Sequence, residues 1–497
     1  MRSPYFPARS VLFHKEPNGV TYRVPALLYL SHSRSFLAFC EERLSPSDSQ
    51  AHLLVMRKGT FYRNYVEWED MRVLGTAFLT GHRSMNPCPV YDEFTGTLFL
   101  FFIAVLGHTS ESYQLVTGKN VTRLCYICST DDGDTWTAVT DLTKRVIGDT
   151  IKEWATFALG PGHGIQLKSG RLLIPAYAYH IECKECFGHL CQTIPHAFCF
   201  HSDTHGRTWR FGEAVPGPES VECQMVSVDE EDGTNVLYCN ARSPLGYRVQ
   251  ALSLDDGAVF QEGQLVQRLV EPRNGCHGSI VGFPAPLHLC QSLNHHLHQP
   301  IHRSRHRTSC MTHSNHTTSP SPNITSASTS PLSPNHSAPP DFLTPTWVVY
   351  SHPTWTTARR DLGVFLSLFP RDPDSWRGPW VIYEGPSAYS DLAYLELPPS
   401  PGAPPAVAFA CLFECGTKTA YDEICFSIFT LYELIDNLPR DVQLGNDGDE
   451  CERQQRQESD AGRCSGHDAQ RTPILQQVPH VKKRRKKSKL TEMCSVS

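Results

Sequence analysis

The sequence predicts an all-β chain built as a propeller, and three observations carry that prediction. Short alternating or wholly apolar runs are separated by Gly, Pro, Asn and Asp turns, with hardly any long helical periodicity. A motif of the form Ser-x-Asp-x-Gly-x-x-Trp/Phe recurs at STDDGDTW 129–136, SDTHGRTW 202–209 and SLDDGAVF 253–260. Its glycines, Gly133, Gly206 and Gly257, stand 73 and then 51 residues apart, which implies repeated four-stranded sheets arranged radially. The motif reads as a hairpin turn: the Asp accepts backbone N–H groups, the Gly supplies permissive dihedral angles and the aromatic packs back under the turn. In the second copy Thr204 stands at the Asp position, with Asp203 beside it.

Along the chain, TYRVPALLYL at 21–30 reads as a buried strand that carries an arginine near its start and a proline in its middle. Arg23 is always charged, so its burial requires an anion, either an ordinary carboxylate or a ligand. LFLFFIAVL at 98–106 is a buried strand, far too short to cross a bilayer as a helix. In CYIC at 125–128 the thiols are three apart on a strand and point to opposite faces, so they cannot readily share an ion. PAYAY at 175–179 puts Tyr177 and Tyr179 on one strand face, as a pocket wall or a packed hairpin would. Helix is suggested mainly by short pieces such as LYELIDNL at 431–438.

Two segments depart from the globular background of this 497-residue chain. Residues 289–340 form a Ser/Thr/Pro/His tract with too little apolar surface to offset ordering, and a disordered insertion is expected there. Residues 441–497 are polar again and contain KKRRKKSK, Lys482 to Lys489, read as a nuclear-import signal or an acidic-surface contact. The expected organisation is therefore a propeller over 1–440, interrupted at 289–340, and a disordered tail over 441–497. Formal net charge is −6, so bulk electrostatics do not single out nucleic acid as a partner. Without an apolar leader at the N-terminus, an intracellular protein is expected, with reduced thiols at its nineteen cysteines and unused Asn-x-Ser/Thr sequons. HIECKECFGHLC at 180–191 crowds Cys183, Cys186 and Cys191 with two histidines, but no second well-spaced pair follows, and no metal or other cofactor is expected.

TYRVP, the Asp-box repeats, HRSMNPCP at 82–89, VPGPESVECQ ahead of NARS at 240–243, and AYSDL at 388–392 together resemble the vertebrate exo-α-sialidase (neuraminidase) family. The likeness runs through nearly all of the chain outside the two polar segments, and stretches such as FFIAVLGHT and PWVIYEGPSAYSDLA set it within one branch of that family. It implies a six-bladed β-propeller and hydrolysis of terminal sialic acid from glycoproteins, oligosaccharides or gangliosides.

A sialoside carries a carboxylate on its anomeric carbon, and the resemblance places three arginines around it: Arg23, Arg242 and Arg359. Planar guanidiniums suit a carboxylate because they grip it with two parallel hydrogen bonds. Arg359 and Arg360 are adjacent, and spacing to HPT and DLG favours Arg359. Glu414 in CLFECG matches the glutamate that steadies the first arginine. A carboxylate nucleophile would be repelled by the substrate's own charge, whereas a neutral phenol is not. Tyr389 and Glu222 match the family's nucleophile and its base, and Asp48 matches the acid that protonates the leaving oxygen and then activates water, with retention of configuration. Arg43 orders the Asp48 loop or contacts the sugar; Met85, Asn86, Glu111, Tyr177 and Tyr179 line the N-acyl and glycerol arms by resemblance. A non-catalytic sialoglycan-binding propeller would keep the arginines without needing Tyr389, Glu222 and Asp48 together. The basic run suggests the nucleus, whereas related sialidases associate with lysosomes or other internal membranes peripherally.

Overall fold

Antiparallel hairpins carry the chain through five sheets in succession. The computed structural model describes residues 5–62, 65–183, 191–230, 232–286, 289, 344–397 and 406–439. The 289–340 tract beyond its first residue, the 441–497 tail and most of the 180–191 loop lie outside these residues.

The first sheet is made by Thr21–Leu30, Ser35–Arg43, Ala51–Tyr62 and Tyr65–Trp68, and the second by His82–Asp92, Thr97–Leu106, Thr122–Ser129 and Thr140–Asp141. The third is built on Trp154–Leu159, Leu172–Cys183 and Gln192–Ser202, and the fourth on Cys223–Asp229, Asn235–Ala241, Tyr247–Ser253 and Gln264–Val270. The last sheet has seven strands because one of them, Arg377–Leu397, is 21 residues long and serves two partners in turn. Its first half pairs with Arg360–Ser367 and its second half with Ala406–Cys415. That sheet ends on the N-terminal strand Arg9–His14, which pairs with Glu423–Thr430 and joins the start of the chain to its last strand.

Each sheet buries its apolar side chains against the next, which gives the propeller-like arrangement. Phe99, Phe101, Phe157, Phe198 and Trp209 fill the space between the second and third sheets; Phe36, Ala38, Leu395 and Phe426 bring the last sheet against the first. A fully buried aromatic of this kind stabilises by about 1.5–3 kcal/mol. LFLFFIAVL is a buried strand and Leu431–Asn437 is a helix with a Thr430/Glu433 capping box, as expected.

The repeated turns work as their sequence suggested. In the first, Asp131 Oδ1 accepts Thr135 N at 2.8 Å, and the indole N–H of Trp136 donates to the Gly133 carbonyl at 3.1 Å. In the second, Thr204 Oγ1 accepts Thr208 N at 2.8 Å, so a hydroxyl does the work of the missing carboxylate. Gly206 has φ +78°, and a Cβ there would lie 2.2 Å from Phe99 Cζ, so both conformation and packing require glycine.

Twelve of the described cysteines are free thiols, but Cys183 is disulfide-bonded, which corrects the expectation of uniformly reduced cysteines. Whether two sulfurs meet is decided by the geometry of the folded chain, which composition does not report.

Candidate active site

The strands nearest the axis are interrupted by bulges, and the bulges aim the polar side chains. In Thr21–Leu30 the pairing register shifts between Arg23 and Ala26, with Val24 at φ +59° and Pro25 next to it. In His82–Asp92 it shifts between Met85 and Cys88, with Asn86 at φ +55°, and in Arg377–Leu397 between Ser387 and Ser390, around Tyr389. An extra residue in one strand bends it and re-aims the adjoining side chain, here at three separate sheets or sheet halves.

Arg23 is buried and paired with Glu414, its Nε at 2.9 Å from Oε1 and Nη2 at 3.4 Å from Oε2. Glu414 also accepts the backbone N–H groups of Val24 at 2.8 Å and Tyr389 at 3.1 Å, so one carboxylate holds an arginine and two of the three bulges. Arg242 donates from Nη1 to Glu222 Oε2 at 2.9 Å and to the Tyr389 hydroxyl at 3.2 Å; its other nitrogens hold the Asn274 carbonyl. Arg359 donates to the Tyr421 hydroxyl at 3.2 Å and the Gly275 carbonyl at 3.1 Å, and makes no ion pair among the described residues. The guanidinium carbons of Arg23 and Arg359 each lie 5.4 Å from the centre of the Tyr389 ring. Arg360 turns away, over the exposed Trp355 ring at 5.3 Å.

The Tyr389 hydroxyl donates to Glu222 Oε1 in a very short hydrogen bond. Burial and the Glu222 charge push the phenol well above its ordinary pKa, against the pull of Arg242 and Arg359. Burial also works to raise the Glu222 carboxyl, but Arg242 and His277, with the Tyr389 hydrogen bond, hold it below the usual carboxylate range. A neutral phenol thus sits against an ionised carboxylate.

Asp48 begins a short 3₁₀ turn, half-exposed, and pairs with Arg43. Arg43 is buried and anchored on Glu41 at 2.6 Å, and Glu41 in turn accepts Asn86 N at 2.7 Å. Burial pulls the Asp48 carboxyl upward, yet Arg43 and then Arg23 outweigh it and the group is depressed. Glu111 opens a helix capped by Ser110 and accepts the Tyr179 hydroxyl. Its side chain is exposed at the surface, yet the protein packed around the carboxyl, and after it the Asp48 and Glu222 charges, push it upward. The rings of Tyr177 and Tyr179 meet edge to face at 6.0 Å, and Met85 packs in the same cluster as Tyr177.

Below Tyr389, Asp391 closes a buried polar network. Its Oδ2 accepts Leu27 N at 2.7 Å; its Oδ1 accepts Gln224 Nε2 at 2.9 Å and Ser279 Oγ at 2.8 Å and meets His163 Nδ1 at 2.8 Å. Strands from three sheets and the 160–164 loop are pinned together there. Gly162, at φ +100°, passes so close that a Cβ would lie 1.8 Å from Gln224 Nε2. Sequence reasoning missed this network, and also Tyr421, whose ring lies 3.9 Å from the Arg23 guanidinium carbon. It missed His277 as well, its ring tilted 38° to the Tyr389 ring with centroids 5.3 Å apart, and with burial lowering its pKa to about 4. A cavity of about 380 Å³ lined by Thr150, Trp154, His180, Phe198 and His201 shares none of the residues named around the arginines.

Three converging guanidiniums beside a carboxylate-bonded phenol suit an anionic sugar, and comparison with known proteins agrees: the chain belongs to the vertebrate sialidase family, exo-α-sialidases among the glycoside hydrolases. The BNR repeat-like domain matches residues 35–397. Within the family the chain is 49% identical to Sialidase-4 of Mus musculus over 467 residues, 88% of this chain and 96% of that protein. It is 47% identical to Sialidase-4 of Homo sapiens, over 90% and 98% of the two chains, and 42% identical to Sialidase-3 of Mus musculus, over 87% and 96%. Among solved structures, the Hadza microbial sialidase Hz136 superposes with a TM-score of 0.60 at 20% identity, over 86% of this chain and 69% of that one. The intramolecular trans-sialidase from Ruminococcus gnavus gives 0.57 at 15% identity, over 86% and 98%.

Proposed function

We propose that the protein is a retaining exo-α-sialidase that acts through Tyr389. The observation that carries this reading is the hydrogen bond from the Tyr389 hydroxyl to Glu222, with Arg242 touching both. The sialoside carboxylate would sit among Arg23, Arg242 and Arg359. Tyr389 Oη then attacks the anomeric carbon as Glu222 takes its proton, and Asp48 protonates the departing glycosidic oxygen. In the second step Asp48 takes a proton from water, the resulting hydroxide attacks the same carbon, and the phenol recovers its proton from Glu222. Asp48 starts depressed by Arg43 and Arg23. A bound substrate carboxylate offsets those charges and displaces water, which raises the Asp48 pKa when a proton is needed.

Six blades follow if the 21-residue strand Arg377–Leu397 is counted in two, since its halves have separate partners. Terminal sialic acids of glycoproteins, oligosaccharides and gangliosides are the substrates we infer from the relatives, whose names mark them as sialidases. No described helix is long and apolar enough to cross a membrane. A nuclear address read by an import receptor through Lys482 to Lys489 is a proposal that imaging a fusion with and without that run tests. Peripheral attachment to internal membranes or lysosomes is the alternative outcome.

The chemistry is tested with a fluorogenic sialoside across acid to neutral pH, with proton NMR of the first-formed anomer. Release with retained configuration, and capture of a fluorinated sialic acid on Tyr389 by peptide mapping, are expected. Demonstrable sialoside binding without release would support a lectin-like propeller instead.

A further inference from the structure

We propose that Cys415, Cys425, Glu423 and His14 form a site for a borderline-soft divalent cation of the zinc type, outside the catalytic pocket. Strand register brings them together. Cys415 pairs directly with Glu423, Glu423 pairs on its other side with His14, and Cys425 lies two residues along the same strand as Glu423. Directly opposed residues share a sheet face, as do residues two apart, so all four point the same way from three adjacent strands. Glu414, next to Cys415, points to the opposite face and holds Arg23.

The distances suit an ion. The two sulfurs are 3.1 Å apart, Cys425 Sγ lies 3.7 Å from Glu423 Oε2, and His14 Nε2 lies 4.0 Å from Glu423 Oε1. The ligand atoms of the two cysteines and the glutamate all fall within 4.8 Å of one another. With zinc–sulfur bonds of about 2.3 Å and zinc–oxygen bonds of about 2.1 Å, tetrahedral angles require about 3.8 Å between sulfurs and about 3.6 Å between sulfur and oxygen. Opening the sulfurs by less than about 1 Å, a side-chain adjustment, brings the two cysteines and the glutamate to that spacing. His14 lies outside that group of three, and its exposed side chain would turn in beside Glu423 as the fourth ligand. Two thiolates with a carboxylate and an imidazole favour zinc over the hard cations magnesium and calcium.

A disulfide is the competing use of two such close thiols, and the register argues against it. Cys425 is opposite Phe413, so Cys415 and Cys425 are a diagonal pair. Diagonal Cα separations run to about 7–8 Å, beyond the usual disulfide span, whereas an ion bridges that gap with its own bonds. Both thiols are fully buried while His14 is exposed, so the site has a closed floor and an open mouth at the sheet edge. An ion there would tie the N-terminal strand to the two strands beside it, at the seam where the chain's ends meet.

The test uses the full chain, stripped with chelator under reductant and titrated with Co²⁺ and then Zn²⁺. One Co²⁺ per chain with thiolate-to-cobalt charge-transfer absorption, displaced by Zn²⁺, is expected, together with a zinc-dependent rise in the unfolding midpoint. Cys425→Ser should weaken the absorption, and the Cys415→Ser/Cys425→Ser double variant should abolish it. His14→Ala, at an exposed strand end, should fold normally, hydrolyse sialosides as the parent does and bind zinc at least about tenfold more weakly. The proposal fails if no thiolate–cobalt absorption appears, if it survives in the Cys415→Ser/Cys425→Ser double variant, or if His14→Ala binds zinc as tightly as the parent. Recovery of a Cys415–Cys425 disulfide from the resting protein would overturn it in favour of a redox pair. Because hydrolysis is read separately, none of these outcomes bears on the sialidase reading.

Discussion

Removing the base from the Tyr389–Glu222 pair gives a loss whose size the site itself sets. A free phenol ionises near pH 10, so at pH 6 about one molecule in 10⁴ carries the charge, a handicap of about 5.5 kcal/mol. Burial of Tyr389 moves its pKa further upward, so the handicap without a base is no smaller than that. On the proposed mechanism Glu222 removes it, because Arg242 keeps the carboxyl ionised and the hydrogen bond is already formed. Glu222→Gln keeps the size and the contact with Arg242 but cannot accept the proton, and should lower kcat by about 10³–10⁴-fold, or about 4–5.5 kcal/mol. Tyr389→Phe removes the proposed nucleophile and should cost at least as much, while KM should stay near the parent value if the arginines grip the carboxylate as proposed. Since both residues serve one proton transfer and one bond, the double variant should be no worse than Tyr389→Phe. Steady-state and single-turnover hydrolysis of a fluorogenic sialoside measure all three. Turnover within about tenfold of the parent for Tyr389→Phe, or losses that simply add, would refute the assignment.

Asp48→Asn should abolish turnover of sialosides with sugar leaving groups but spare the first step for a phenolic leaving group that departs unprotonated, and comparison of the two substrates reads this directly. Because Arg43 and Arg23 depress Asp48 in the free enzyme, kcat/KM should fall as pH rises above an acidic optimum; Arg43→Met should move that limb upward by about one pH unit. Arg23→Ala strands Glu414 in the interior and should cost about 3–5 kcal/mol in urea denaturation, whereas Arg359→Ala, which strands no carboxylate among the described residues, should change stability by less than about 1 kcal/mol yet raise KM about 30-fold or more. Asp391→Asn, with no site contact to lose, should destabilise by about 3 kcal/mol near neutral pH. The native Asp391 carboxyl lies below its unfolded value, so its stabilisation is complete above that value and is lost as pH falls through the folded one; the variant's stability curve should lack that acid limb.

How much of this was legible depended on whether a residue's job is local. The Asp-box turns could be read because acceptor, glycine and aromatic sit within eight residues, and even Thr204 keeps the pattern by offering a hydroxyl. Arg23 could be flagged because a guanidinium in an apolar strand needs an anion, and its Glu414 partner lies 391 residues away. The motifs supplied that pairing; spacing could not. The bulge at Val24 was hinted at only by Pro25, and the bulges at Asn86 and around Tyr389 left no local sign, since register is a property of two strands. Tyr421 and His277 look like ordinary aromatic and core residues until the ring brings them beside Arg23 and Tyr389. Cys183 departs from expectation because an inference about compartment was applied to a contact decided by where the fold brings two sulfurs.

The division of charge around the pocket explains why the three arginines are not equivalent. Arg23 and Arg242 each face a buried carboxylate, Glu414 and Glu222, so much of their charge is already answered before any ligand arrives. Among the described residues Arg359 donates to the Tyr421 hydroxyl and the Gly275 carbonyl, both neutral acceptors, and faces the Tyr389 ring. An incoming carboxylate therefore gains most at Arg359, where it supplies the missing counter-charge. At Arg23 and Arg242 it competes with pairs already made, and those pairs serve instead to hold geometry. Glu222 adds a second constraint, because the arginine that keeps it ionised also touches the phenol it must deprotonate. A pocket with all three arginines fully paired would be more stable and bind an acid sugar poorly. One with none paired would bind any anion and leave Tyr389 without a positioned base. On the proposed mechanism, two paired arginines and one without a carboxylate partner among the described residues satisfy both demands, which would make Arg359 the affinity residue and leave Glu414 and Glu222 to keep the other two in register.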